Sequence, residues 1–219
     1  MKSRINRQFR LASRPVGDIK ESNFEDREEP IPVPKEGQIL VRIFYLSLDP
    51  TNRIWMSDMP QYMPPVEIGE VMRGVAMGQV EVSKTSQWRE GDLVSGLLGW
   101  QDYAVVDGSA VFPVPQIDGV PVSAFLGPLG FTGLTAYFGL LDIGQPQPGE
   151  TVVVSAASGA VGSMVGQIAR IKGCRAVGIT SSAEKCRWLT EELGFSAAIN
   201  YQTTAWFKNR LFWVTKQQK

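Results

Sequence analysis

The stretch Val154-Ser155-Ala156-Ala157-Ser158-Gly159-Ala160-Val161-Gly162 decides the reading of this chain. Before it runs Thr151–Ser155, a short apolar segment of β-branched residues. After it, Ala160–Lys172 carries helical spacing and stops at Gly173. The core Ala157-x-Gly159-x-x-Gly162 is a variant of G-x-G-x-x-G with alanine first. The spacing has a geometric reason. A strand must turn tightly into a helix, Gly159 lets backbone approach a ligand closely, and Gly162 lets helix and strand pack together. The unpaired N–H groups that open the helix then face anionic groups. A bare glycine triplet is a weak signal, but its place between a strand and a helix is the context that gives it meaning. The alternative is a glycine-rich turn that holds nothing.

The rhythm continues outward from that turn. Arg175–Thr180 reads as a second strand, Ala183–Leu193 as a second helix ending at Gly194, and Ala197–Tyr201 as the start of a third strand. Alternation of this kind predicts a parallel sheet with crossover helices. The second strand bears on which dinucleotide fits. An NAD site calls for an acidic residue about 20 residues past the glycines, to bond the ribose 2′-hydroxyl. Here the strand ends Ile179-Thr180-Ser181-Ser182, and Lys185 and Arg187 follow. Hydroxyls and a cation suit a 2′-phosphate, so the reading favours NADP. Two alternatives stay open: Lys185 as a solvated residue paired with Glu184 or Glu191, and Glu184 turned toward the ribose.

Upstream, the first 120 or so residues read as β-rich. Gln38–Leu48 alternates Ile39, Val41, Ile43 and Tyr45 on one face, and Asp49-Pro50 ends it. Glu70–Val82, Leu93–Leu98, Gln101–Val106 and Ala110–Val114 follow as extended segments, with Gly74 and Gly78 at an expected bulge or close approach. Short strands separated by glycine and proline predict a small barrel or sandwich. Ser123–Leu141 is helical in spacing, and Pro146, Pro148 and Gly149 form a stiff connector.

Composition sets limits on the chemistry. The chain has 219 residues, 22 cationic and 22 acidic, so its formal net charge is zero. A neutral chain has no global field to gather nucleic acid. It contains no histidine. That removes Ser-His-Asp and Cys-His mechanisms, histidine metal ligands and the usual neutral-pH base. Two cysteines, Cys174 and Cys186, neither close a metal site alone nor suggest a disulfide scaffold, and a reducing compartment is the plain reading. Gly119–Leu141 is uncharged and long enough to span a bilayer, but Pro121, Pro128 and its glycines favour a buried helix at a domain junction. Lys2, Arg4, Arg7 and Arg10 precede the first acid. Such a start suits a transit peptide, but Ile5, Phe9 and Leu11 alternate with polar residues and suit an edge strand. The expectation is a soluble, cytoplasmic chain with no nucleic-acid or membrane partner.

Specific motifs then point to a family. They are Tyr45-Leu46-Ser47-Leu48-Asp49-Pro50, Met56-Ser57-Asp58, Gly99-Trp100-Gln101-Asp102-Tyr103, Gly130-Phe131-Thr132-Gly133-Leu134-Thr135-Ala136-Tyr137 and the run Pro148–Gly162. With them the chain, from about Arg7 to about Gln202, resembles the medium-chain dehydrogenase/reductase superfamily. Within it the chain is most similar to the zinc-free, NADP-dependent 2-alkenal, prostaglandin and curcumin reductases. The resemblance implies an α/β chain: an N-terminal GroES-like β-barrel substrate domain over residues 1–122, then the first half of a Rossmann doubly wound parallel sheet over 123–202, then an atypical tail over 203–219. It implies NADPH as cofactor, no metal, and reduction of a carbon–carbon double bond conjugated to an aldehyde or ketone, with hydride delivered to the β-carbon. By resemblance Gly159, Ala160, Val161 and Gly162 meet the pyrophosphate, while Lys185 and Tyr201 contact the 2′-phosphate. Tyr62 falls where relatives place a pocket tyrosine, and so is the candidate donor to the substrate carbonyl; packing on a neighbouring strand is the equal alternative. Relatives carry a further tyrosine after Asp-Pro, where this chain has Thr51, and Arg53 is expected to form a structural salt bridge.

Length departs from that pattern. A doubly wound domain needs two βαβαβ halves, and the sequence after Thr151 has room for one. The expectation is a C-terminally truncated reductase. In the tail Trp206, Phe207, Arg210, Leu211 and Val214 fall on one helix face. The alternatives are a non-catalytic remnant holding only the adenine half of NADP, and a quinone oxidoreductase of the same superfamily. Family members are homodimers, an arrangement not expected to carry over unchanged to a truncated chain.

Overall fold

The structure, a computed structural model, describes residues 5–203. The expected helix face at Trp206–Val214 lies outside the described residues. The chain divides into two compact units after Leu126, four residues beyond the boundary read from the sequence.

The first unit is built from antiparallel strands. Strand β1 (Ile5–Leu11) pairs with β2 (Phe24–Pro30). Strands β3 (Gln38–Leu46), β4 (Ala76–Ser83), β5 (Leu93–Gly96), β6 (Tyr103–Asp107) and β7 (Val111–Pro113) form a curled five-stranded sheet in the order β6-β3-β4-β5-β7. The expected barrel thus takes the form of a half-barrel. Isolated bridges Gln8↔Gln101 and Arg10↔Val71 tie the β1–β2 ribbon to it. The register of β3 against β4 shifts twice, between Leu40 and Val41 and between Ile43 and Tyr45. Gly78 sits against the Arg42 carbonyl there, and a side chain would collide with it. Ile39, Val41, Val80, Val94, Leu98 and Ala104 fill the sheet's core. A second cluster gathers Leu11, Trp55, Met56, Val66 and Met72 beneath Phe24 and Trp100, whose rings stack with centroids 5.4 Å apart.

Two features of this unit depart from the sequence reading. Strand β2, Phe-Glu-Asp-Arg-Glu-Glu-Pro, was not expected, because acidic residues are poor strand formers. It forms because β1 supplies opposite charge across the ladder: Arg7 faces Glu28, and Arg10 reaches Glu29 at 3.3 Å. The alternation in β1 is also reversed. Asn6 and Gln8 point inward while Ile5 and Phe9 stay exposed, and only Leu11 turns into the core. Arg7 meets Asp102 through Nε at 2.7 Å and Nη2 at 3.3 Å, and that pairing holds its guanidinium pKa above the ordinary value.

In the second unit, β8 (Thr151–Val154), β9 (Arg175–Thr180) and β10 (Ala197–Asn200) make a parallel sheet in the order β10-β9-β8. This is the 3-2-1 order of the first half of a doubly wound sheet. Helix α3 (Ala160–Ile171) crosses from β8 to β9. Helix α4 (Ala183–Arg187) continues as a wider turn over Trp188–Glu192 and leads to β10. Gly173 and Gly194 end their helices with φ of +76° and +70°, the left-handed backbone that favours glycine. Leu140, Val154, Ala157, Ala169, Ala176, Leu189 and Phe195 form the core.

The single helix expected over Ser123–Leu141 is broken. A 3-10 turn at Val122–Leu126 gives way to Gly127-Pro128-Leu129-Gly130, and α2 (Phe131–Phe138) begins only afterwards. Pro128 cannot continue a helix and disfavours helical backbone at the residue before it. Thr132 Oγ1 donates to the Gly127 carbonyl at 2.9 Å and folds the segment back on α2. Gly133 accommodates it, since a side chain there would strike Pro128. Nor is the helix buried as expected: Phe131, Leu134, Tyr137 and Phe138 are exposed. Among the described residues no helix is long and apolar enough to cross a membrane.

Candidate dinucleotide site and tyrosine cluster

The turn from β8 into α3 is held open by small residues. Ala156 adopts φ +46°, and its carbonyl accepts from Gly159 N at 2.8 Å. A Cβ on Gly162 would lie 2.5 Å from Ala156 O and 2.8 Å from Ala157 Cα, so only glycine lets the helix start this close to the strand. A Cβ on Gly159 would meet only Ala156 O, at 3.1 Å, and otherwise faces open space. No side chain caps α3 at Gly159. The N–H groups of Ala160, Val161 and Gly162 are the first of the helix, which have no carbonyl one turn back to bond. Together these features make a cradle for an anion.

The other expected residues gather at the same edge of the sheet, beyond the carboxyl ends of the strands. Ser182 caps α4 by accepting from Lys185 N at 3.2 Å. That cap sets Lys185 in the first turn, where Nζ lies 3.5 Å from Ser181 Oγ. Lys185 forms no ion pair with Glu184 or Glu191 among the described residues. Tyr201 follows β10 directly, its N–H donating to the Thr180 carbonyl at 3.0 Å, and its ring is partly exposed. A hollow of about 480 Å³ lies between the turn and α4, lined by Ser158, Lys185, Arg187, Trp188 and the carboxylates Glu184, Glu191 and Glu192. Glu184 therefore sits at the hollow with Lys185, although no carboxylate stands at the tip of β9 itself, which is Thr180-Ser181-Ser182.

One contact was not anticipated. Ser158, inside the glycine turn, lies 2.7 Å from Thr180 at the end of β9, oxygen to oxygen. The two are 22 residues apart and meet only because β8 and β9 pair in parallel register. The sequence marks both as hydroxyls but does not join them.

Tyr62 belongs to the first unit and forms a separate cluster. Helix α1 (Pro50–Trp55) opens with proline at its first position, and Asp49 N donates to Asn52 Oδ1 at 2.6 Å. This places Thr51 on the first turn, with Oγ1 2.6 Å from the Tyr62 hydroxyl. Tyr62 is 70% exposed, so its ring does not pack into a strand. Among the described residues Arg53 makes no salt bridge, in place of the one expected: its guanidinium donates to Ser57 Oγ and to the carbonyls of Pro15 and Gly17. Three backbone and hydroxyl acceptors already occupy it.

Comparison with known proteins adds a consistent result. A family described as the N-terminal domain of oxidoreductase matches residues 7–114. The chain is 50% identical over 196 residues to the NADPH-dependent curcumin reductase of Escherichia coli (strain K12), covering 90% of this chain and 56% of that one. It is 43% identical over 185 residues to prostaglandin reductase 1 of Mus musculus, covering 84% and 54% respectively. The crystal structure of CurA in complex with NADPH from Vibrio vulnificus matches with a TM-score of 0.85 at 48% identity, over 92% of this chain and 59% of that one. The chain thus spans between half and three fifths of the length of these relatives.

Proposed function

The chain belongs to the medium-chain dehydrogenase/reductase superfamily, and from that premise we propose that it serves an NADPH-dependent reductase of carbon–carbon double bonds conjugated to an aldehyde or ketone. The observation that carries this reading is the carboxyl edge of the parallel sheet. An open glycine turn and an uncapped helix start stand there beside Ser158, Ser181 and Lys185, with no carboxylate at the tip of β9. The relatives named for NADPH support it.

The residues divide the work. The N–H groups of Ala160, Val161 and Gly162 hold a pyrophosphate, Gly159 lets it approach, and Lys185 with Tyr201 holds a 2′-phosphate. NADPH, when bound, supplies the hydride that the β-carbon of the substrate receives. The protein contributes orientation and polarisation of the carbonyl. Tyr62 serves the second role. Thr51 is its hydroxyl partner at 2.6 Å. With Thr51 donating to the phenol oxygen, the phenol hydrogen is free to reach the substrate oxygen as it gains negative charge.

The test is NADPH oxidation by the full chain with a panel of enals and enones, followed at 340 nm, beside titration of NADPH by fluorescence. The expected result is binding with turnover of at least one class. Binding with no turnover across the panel would overturn the reductase reading and leave a chain that holds only part of the dinucleotide.

A further inference from the structure

The hydroxyl pair at the base of the hollow has a direction. Thr180 is 3% exposed, and among the described residues Ser158 is the only hydrogen-bond partner of its hydroxyl. If Ser158 donated to Thr180, the Thr180 hydrogen would be buried with no acceptor. A buried donor left unpaired is penalised by its full desolvation. The favourable arrangement has Thr180 donating to Ser158. Ser158 Oγ is then already an acceptor, and its own hydrogen is free. Ser158 is only partly covered and lines the hollow with Lys185 and Arg187. What remains is an O–H donor on the wall of a hollow that Lys185 and Arg187 line together with Glu184, Glu191 and Glu192.

We propose that Ser158 is a specificity-determining residue for the 2′-phosphate, and that Thr180 is the positioning residue that turns its hydrogen outward. The proposal rests on the dinucleotide reading above and adds a third determinant to Lys185 and Tyr201, contributed by the glycine turn itself. One residue thereby couples the turn that meets the pyrophosphate to the pocket that tells the two dinucleotides apart. Glu184, Glu191 and Glu192 also line the hollow.

The experiment is fluorescence titration of the full chain and its variants with NADPH and with NADH. Hydrogen bonds to charged groups correspond to roughly tenfold or more in affinity. Ser158→Ala is expected to weaken NADPH about tenfold and to leave NADH within about twofold. Thr180→Val keeps the branched shape without the hydroxyl and is expected to weaken NADPH about threefold, again with NADH unchanged. Ser158→Thr retains a hydroxyl and is expected to keep the NADPH preference, which separates loss of the donor from damage to the turn. Equal change toward both dinucleotides, or no change in Ser158→Ala, overturns the proposal while the dinucleotide reading stands. A wild-type chain that binds neither overturns both.

Discussion

Replacing Gly162 with alanine tests the closeness of helix and strand at the candidate site. The added Cβ would lie 2.5 Å from Ala156 O and 2.8 Å from Ala157 Cα. Both are backbone atoms, and Ala156 already holds a left-handed φ of +46°, so neither moves aside cheaply. Overpacking of this kind costs about 1–3 kcal/mol, and the upper end applies where backbone must shift. Alanine recovers about 1 kcal/mol of helix propensity over glycine. The net loss is about 2 kcal/mol, which for a unit of this size lowers Tm by roughly 10 °C. Gly139→Ala is the matched control. Its backbone is helical (φ −60°, ψ −40°) and a Cβ there meets nothing within 4 Å. Here only the propensity gain applies, so stability should rise by about 0.5–1 kcal/mol. Thermal unfolding by circular dichroism reads both, and titration with NADPH reads the site. Gly162→Ala is expected to weaken NADPH, because the helix start moves with the turn. A Gly162→Ala chain as stable as wild type, or one less perturbed than Gly139→Ala, would refute the packing argument.

Other substitutions probe separate parts of the reading. Lys185→Ala should lower the preference for NADPH over NADH at least tenfold, since no other cation hydrogen-bonds Ser181 among the described residues; an unchanged ratio of dissociation constants would remove Lys185 from the site. Tyr62→Phe should lower kcat about a hundredfold with NADPH affinity unchanged, the range for loss of a positioned acid; full turnover in steady-state assays would return Tyr62 to a surface aromatic. Asn6→Ala should destabilise the first unit by about 2 kcal/mol, because it removes two bonds of 2.8 and 2.9 Å to the backbone of Tyr103 in a fully buried place. Chemical denaturation checks it, and an unshifted midpoint would count against that account of β1.

The β8–α3–β9–α4–β10 order was legible because each boundary carries local chemistry. Gly173 and Gly194 stop helices through backbone that other residues resist, and Gly162 opens one by leaving space. Gly159, Ala160, Val161, Gly162, Lys185 and Tyr201 could be placed by counting from those marks. The Ser158–Thr180 and Thr51–Tyr62 contacts could not. Each depends on register or on the path of a loop, which no local spacing records. The break in the expected helix at Gly127-Pro128 carried a local mark that the apolar rhythm of Ser123–Leu141 outweighed.

Strand β1 shows the physical limit most clearly. A polar–apolar alternation reads as a strand whose apolar face is buried. That inference assumes that burying a polar side chain is always unfavourable. Asn6 is fully buried because its amide donates to the Tyr103 carbonyl and accepts from the Tyr103 N–H, and Gln8 reaches Gln101 Oε1 at 3.0 Å. A satisfied polar group loses little on burial. The strand therefore turns its amides inward and leaves Ile5 and Phe9 outside, with Phe9 resting edge-on against Trp100. The period that identifies a strand survives this reversal, and the choice of face does not. Face is set by partners 93 to 97 residues away, so alternation alone predicts the element but not which side of it the core will claim.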